Sequence, residues 1–372
     1  MFNSRVILFI LGFGMISYSS AREFRYYARS PKALLMGDAY TAIADDEYTL
    51  WYNPAGLGKH SGLTVHLVNP TLNVTNALGD MDKFEDLPEG DTVALANRFI
   101  GYPLHLGLGA VPGVKLAHFG MSFLVNSQLN FSIENRYRPF LDIDYRFDRG
   151  FSMGYAYTVG NGGPKKAGMM QSFGFAMKYI NREGLDRNFA LFGTSLLDIL
   201  NQDNLDYTSI KDELGYSVGS SWGYDLGYDL GFYTGSGSLN LAMSIMDIGE
   251  THFERRSGNG KVPIQPMHVN LGMAWRQDWA LFNYALSMDI KPINSPVDFG
   301  RKLQFGATVG IPLIDFMVGW NGGYLSYGAG LNLGLLRVYA GFYGVELGGA
   351  YTERHGKRGL LYLSILDFSF DP

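Results

Sequence analysis

From Leu325 to Leu335 the chain reads LSYGAGLNLGL, and every second residue is apolar: Leu325, Tyr327, Ala329, Leu331, Leu333 and Leu335. Between them stand Ser326, Gly328, Gly330, Asn332 and Gly334. A period of two belongs to a strand, because successive side chains leave opposite faces of the pleat. The pattern recurs. Phe282, Tyr284, Leu286, Met288 and Ile290 alternate with Asn283, Ala285, Ser287, Asp289 and Lys291; Val269, Leu271, Met273 and Trp275 alternate with Asn270, Gly272, Ala274 and Arg276; Phe173, Phe175, Met177 and Tyr179 alternate with Gly174, Ala176 and Lys178. A soluble sandwich has the same period but sets its apolar face against a charged one. Here charged residues are only 17% of the chain, against ~25% in an ordinary soluble domain, and the second face is Gly, Ser, Ala and Asn. Apolar residues outward and small or polar residues inward, over about ten residues per strand, specify an all-β fold: a transmembrane antiparallel up-and-down β-barrel.

Strands are expected near 62–74, 98–111, 114–138, 140–160, 169–182, 216–234, 238–250, 266–277, 280–291, 302–311, 313–320, 324–333, 335–345 and 358–370. About 14 strands is an even number, as a single-chain bacterial barrel requires. Tight links are expected at Pro112-Gly113, Asn161 to Lys166, Gly235 to Gly237, Gln277 to Trp279, Pro312 and Gly334, alternating with mostly longer ones near 75–97, 183–215, 251–265, 292–301 and 346–357. Short periplasmic turns and longer extracellular loops predict that asymmetry, with both termini periplasmic.

The start of the chain supplies a compartment. Arg5 is followed by an apolar run from Val6 to Ile16 and then by Ser19 and Ala21. That is the plan of a secretory signal peptide, residues 1–21, and the run is too short to span ~30 Å of hydrocarbon at ~1.5 Å per residue. Residues 22–61 precede the first alternating strand and are expected to fold into the lumen as a hatch, with the barrel proper over 62–372. Within them lies ADDEYTLWYNPAGLG, residues 44–58. Buried in a lumen, Asp45 and Asp46 must accept backbone amides or meet lumenal arginines, and Trp51 and Tyr52 must pack on the wall. Pro31 to Ala44 has small residues in an amphipathic order suited to a short helix, and Asn53-Pro54-Ala55-Gly56 signals a turn.

The stretch SPKALLMGDAYTAIADDEYTLWYNPAGLG resembles the entry segment of the FadL/PorV-like superfamily of outer-membrane proteins. Met36 to Ala39 match its small-residue stretch, Asp45-Asp46 its paired acids, and Asn53 to Leu57 its Asn-Pro-Ala-Gly-Leu. The C-terminal strand LLYLSILDFSF, with Tyr362, Leu366, Phe368 and Phe370 on one face, resembles the signal read by the barrel-assembly machinery, although Asp371-Pro372 extend past it. The resemblance implies residence in the outer membrane of a Gram-negative (diderm) bacterium, with outer-membrane lipid around the barrel. It also implies a channel or transporter for hydrophobic small molecules such as long-chain fatty acids, gated by the hatch at Gly37, Asp45, Asp46, Trp51, Asn53, Pro54 and Gly56. The alternative it implies is a PorV-like platform in protein secretion or surface attachment, whose partner is a secreted protein.

Other functions find little support. The chain has no cysteine, which removes thiol catalysis and Cys-ligated metals. The net charge of −5 comes without a concentrated basic tract, so no nucleic-acid partner is expected. The seven histidines form no HExxH pair, no Ser-His-Asp arrangement stands out, and neither Asp45-Asp46-Glu47 nor Asp142, Asp144 and Asp148 has the ligand spacing of a calcium loop. No enzyme, cofactor or metal is expected. Asp225, Asp229, Asp289 and Lys291 fall on inward faces and are candidates to line the lumen or to form ion pairs there. In the extracellular insertion 183–215, Leu196, Leu197, Ile199 and Leu200 can form the apolar face of a short capped helix, either the mouth of a ligand site or packing over the rim.

Overall fold

The computed structural model describes residues 23–75, 85–86, 92–135, 137, 140–190, 211, 214–279 and 281–370. The signal-peptide region and Leu196, Leu197, Ile199 and Leu200 lie outside the described residues. Seventeen strand segments form one closed antiparallel sheet. They are β1 (Leu63–Val68), β2 (Pro70–Thr75), β3 (Leu104–Ala110), β4 (Gly113–Leu116), β5 (Phe119–Glu134), β6 (Phe140–Gly160), β7 (Gly168–Ala190), β8 (Ser217–Tyr233) and β9 (Gly237–Met246). The circuit continues through β10 (Glu254–Gly258), β11 (His268–Asp278), β12 (Asn283–Ile290), β13 (Leu303–Ile311), β14 (Ile314–Asn321), β15 (Tyr324–Asn332), β16 (Leu336–Glu346) and β17 (His355–Phe370). β17 closes it by pairing with β1 and β2.

Three staves come in two pieces. β1 and β2 both pair with β17, β3 and β4 both with β5, and β9 and β10 both with β8, so seventeen segments make fourteen staves. Outward positions are apolar and exposed while their neighbours are covered: Leu325 and Tyr327 are exposed and Ser326 between them is fully buried. Among the described residues no helix is long and apolar enough to cross a membrane; this chain crosses with strands.

One expected turn is misplaced. Pro112-Gly113 is not a hairpin link but lies in the middle of a stave, between β3 and β4, and the chain reverses at Ala117-His118, both at positive φ. A proline lacks the N–H that a ladder needs, which suits it equally to a turn or to a bulge, and here it is a bulge. Opposite it Leu67 and Val68 both face outward, which returns Asn69 to the lumen. The ladder between the two staves is broken there, since pairing stops at His66↔Gly113 and resumes at Pro70↔Ala110. Asn69, fully buried, fills the break: its side chain donates to the Val111 carbonyl at 2.7 Å and accepts from the Val111 amide at 2.8 Å.

Turn lengths follow the expected asymmetry except at two long-end links, of which the one between β5 and β6 covers only 135–139. β14 and β15 are joined at the long-loop end by only Gly322-Gly323, both at positive φ. The insertion after β7 also begins later than expected, because that strand runs to Ala190 rather than ending near 182. β6 and β7 have 21 and 23 residues, about twice what a membrane crossing needs, so this side of the barrel rises well above the bilayer.

Candidate functional site

Residues 23–62 lie inside the barrel and form its core. A ring of fourteen staves is wider than the small barrels that side chains alone can fill, so its lumen holds either water or a plug, and here it holds a plug. The plug is built from three short turns. Ser30 caps α1 (Pro31–Leu35), accepting from the Ala33 amide at 3.3 Å, with Pro31 at the first position, where no N–H is required. The helix stops at Leu35, short of the Pro31–Ala44 stretch read from sequence, because Gly37 and Asp38 both take positive φ. α2 (Thr49–Tyr52) follows the acids. Asn53 then caps a 3-10 turn over Pro54–Lys59, accepting from the Ala55 amide at 3.0 Å and donating to the Thr41 carbonyl at 3.1 Å.

The small residues of the hatch and of the wall explain one another. A Cβ added at Gly319 or Gly306 would come closer than 3.0 Å to the Met36-Gly37 backbone, and one added at Gly174 or Gly227 would do the same to Ala55. Gly56 is held as closely against the Ala44 carbonyl, and Gly37 against the β14 backbone at Trp320. Leu35, Leu50 and Leu57 point into hollows left by Gly328 and Gly341, by Gly154, and by Gly120. The lumenal glycines are therefore seats for a plug lying backbone to backbone on the wall. Read from sequence they were simply the composition of a lumen.

Charges fix the plug in register. Glu23 accepts two bonds from Arg358 at 2.9 and 2.7 Å and meets Arg29 at 2.7 Å; Arg25 pairs with Asp144. Asp38 faces Lys291 at 3.3 Å and accepts from the Tyr52 hydroxyl at 2.6 Å, and Lys59 pairs with Asp229 at 2.7 Å. Asp45 pairs with Arg276 at 2.7 Å. Asp46 accepts from Ser30 at 2.5 Å, from Tyr40 at 3.0 Å and from the Tyr48 amide at 2.9 Å, while Lys115 donates to the Asp45 and Asp46 carbonyls. Glu47 accepts from the Tyr362 hydroxyl and faces Arg337 at 3.6 Å and His66 at 3.7 Å. Trp51 donates its indole N–H to Ser122 at 3.0 Å.

The four inward charges named from sequence are almost fully buried. Asp225 pairs with Lys178 at 2.8 Å and accepts from the Asp247 amide at 2.7 Å. Asp229 holds Lys59 and accepts from Asn240 at 2.9 Å. Asp289 accepts from the Tyr40 and Thr41 amides, each at 2.8 Å, and from the Thr41 hydroxyl at 2.7 Å. Lys291 bridges Asp38 and Asp289. Sequence reasoning missed Glu23, Lys115, Arg276, Arg337 and Arg358. Arg276 and Arg358 occupy inward positions of alternating strands, which was the available signal.

The hatch acids sit in different fields. Burial alone would raise Asp45, but Arg276, Lys32 and Lys115 outweigh it and hold the carboxyl below its ordinary range. Glu23 is likewise held well below by Arg358, Arg29 and Arg25 against the effect of burial. Asp46 goes the other way: burial, then repulsion from Glu47, pushes it up to about 6. A lowered acid stabilises the docked hatch above its ordinary titration range and loses that contribution as pH falls through the folded value; a raised one opposes docking as pH climbs through its own. Neutral pH therefore favours docking through Glu23 and Asp45, and Asp46 opposes it. Glu23 and Arg358 are both buried, so Arg358→Ala removes the two bonds Arg358 donates and leaves the carboxylate with Arg29 and Arg25. The expected cost to docking is about 3–5 kcal/mol, read as lost hydrogen-exchange protection of the amides in α1, and unchanged protection would contradict the assignment.

Two cavities flank the plug. The long-loop vestibule, about 590 Å³, is lined by Arg25, His105, Asn130, Asp144, Arg354 and Arg358. The short-turn vestibule, about 1010 Å³, is lined by Lys32, Asp45, Lys115, Arg276, Arg337 and Asp367. A third cavity of about 40 Å³ lies between hatch and wall beside Gly107, Gly109, Val111, Leu34 and Leu124, and His105 borders both it and the long-loop vestibule.

No family model and no curated protein matches the chain. Solved structures similar to it include the Ralstonia pickettii toluene transporter TbuX, at 11% identity and a TM-score of 0.43, covering 92% of this chain and 100% of that one. The Pseudomonas putida toluene transporter TodX is similar at 11% identity and a TM-score of 0.41, covering 94% and 99%. A Pseudomonas aeruginosa FadL homologue follows at 10% identity and a TM-score of 0.30, covering 93% and 99%. At such scores the barrel rests on its own strand register and not on these likenesses.

Proposed function

We propose that the chain is an outer-membrane channel for small hydrophobic molecules, closed at rest by residues 23–62, with the long loops outside the cell and both termini periplasmic. Gly37, Asp45, Asp46, Trp51, Asn53, Pro54 and Gly56 hold the hatch shut, and a rearrangement of hatch or wall opens the route. The observation that carries this reading is the plugged lumen with a small cavity left between hatch and wall, bordered like the long-loop vestibule by His105. That cavity, about 40 Å³, is lined by Val111, beside the point where the ladder between the two staves is broken. A wall joined at that point by one side-chain amide is weaker than a wall joined by a continuous ladder.

The second reading is a membrane-held platform for a secreted protein, and the exposed Phe299 and Tyr351 on long-end loops favour it. Purification in detergent, solvent extraction and mass spectrometry for bound apolar molecules, combined with cell uptake of labelled toluene and of a labelled long-chain fatty acid, separates the two. Transport predicts a bound apolar compound and uptake that depends on the chain. An empty protein with no uptake of either probe contradicts transport and favours the platform.

A further inference from the structure

Between β10 and β11 the chain reads NGKVPIQPMHV, residues 259–269, with a proline on either side of Ile264-Gln265. The residue before a proline is driven to extended backbone, and the proline itself has no N–H to give. Such a segment forms no helix, and wherever it is buried its carbonyls need donors from elsewhere. Here it runs inside the barrel. The Val262 side chain lies 3.0 Å from where a Cβ on Gly219 would stand, on the lumenal face of β8, and Gln265 is only 1% exposed. Pro263 to Gln265 are thus a strap laid along the inner wall from the long-loop end.

Lumenal arginines hold the strap. Arg182, fully buried and paired with Asp148 at 2.7 Å, donates to the Pro263 carbonyl at 2.9 Å, to the Ile264 carbonyl at 3.2 Å and to the Gln265 side-chain oxygen at 3.1 Å. Arg146 on the next stave reaches the Ile264 carbonyl at 3.4 Å, and two backbone bonds between Thr251 and Gln265, at 2.9 and 3.1 Å, close the loop. With its oxygen on Arg182, the Gln265 side chain turns its N–H to the hatch and donates to the Arg25 carbonyl at 2.7 Å. Beside that bond the His268 ring meets Tyr26 at 4.6 Å, and the Arg182 guanidinium lies 5.0 Å from the Tyr27 ring. Arg25 serves two sides. Its carbonyl is held by the strap while its guanidinium pairs with Asp144, and both residues line the long-loop vestibule.

We propose that the strap is a latch on the hatch: the Gln265 side-chain N–H on the Arg25 carbonyl holds the start of the hatch in place, and the hatch moves only when that bond opens. A loop that merely packed over the rim would be complete with its wall arginines. The Gln265 amide instead divides its two ends between wall and hatch, and a buried amide that loses either partner is left with an unsatisfied group. A molecule in the vestibule reaches the latch through Arg25, whose guanidinium it meets there. The gating role rests on the hatch closing a channel, as proposed above; the hold of strap on hatch does not.

Hydrogen exchange of the full barrel in detergent reads hatch and strap separately. Gln265→Glu keeps an oxygen for Arg182 and loses the N–H, whereas Gln265→Met loses both. The latch predicts that the hatch amides from Ser30 to Met36 exchange roughly tenfold faster in both variants. The amides of residues 251 and 265 should stay as protected as in the wild type in Gln265→Glu, and heat-modifiable gel mobility should show a folded barrel in each case. Uptake of the labelled apolar probe should rise in the same variants. Unaltered hatch exchange in both, or faster exchange in Gln265→Met alone, would overturn the latch whether or not the chain transports. Faster exchange without a rise in uptake, in a chain that does transport, would overturn its gating role. Faster exchange in a chain that takes up neither toluene nor fatty acid would keep the latch and reject the channel.

Discussion

A barrel lacking residues 23–58 is expected to conduct ions in planar bilayers, in steps that the intact chain never shows. The hatch lies between the two vestibules, and no wall strand supplies a ladder partner to it. Without it the wall charges Arg276, Lys291, Arg337 and Arg358 face Asp144, Asp229 and Asp289 across water, where an unpaired ion costs far less than when buried. Both signs are present, so the pore should select weakly between anions and cations. The barrel should still form, because its staves pair with one another around the full circuit, and heat-modifiable mobility on gels checks this independently. A folded but silent deletion variant would mean that wall or loops, and not the hatch, close the lumen.

The architecture was legible because the membrane forces a simple rule on every strand. Leu325, Tyr327 and Leu331 had to face lipid, so their alternation survived whatever lay inside. The entry segment was legible as a plug for a related reason: Asp45 and Asp46 stand before the first strand, and a buried carboxylate needs donors. Its partners were not legible. Arg276 is 231 residues from Asp45, and Arg358 is 335 residues from Glu23, distances over which one sequence carries no pairing signal. The turn at Ala117-His118 was missed because Pro112-Gly113 satisfies turn chemistry locally, while the bulge that claims it depends on Asn69 in another stave. The seats at Gly174 and Gly319 were read only as lumen composition, since a glycine that frees space and one that receives a backbone look identical in a sequence.

Movement of the hatch is tested most directly by preventing it. The chain has no cysteine, so a pair can be introduced without competitors. A Cβ built at Gly272 lies 2.8 Å from the Thr41 Cβ, close to the ~3.5–4.5 Å that a disulfide spans, so wall and hatch need separate by only about an ångström. Thr41→Cys/Gly272→Cys therefore ties the centre of the hatch to β11, with each single variant as a control for the substitution itself. Uptake of the hydrophobic probe should fall to background in the oxidised double variant and return after reduction, while both single variants transport throughout. Undiminished uptake by protein shown to be fully cross-linked would contradict movement of the hatch and leave the wall at the Asn69–Val111 break as the part that opens.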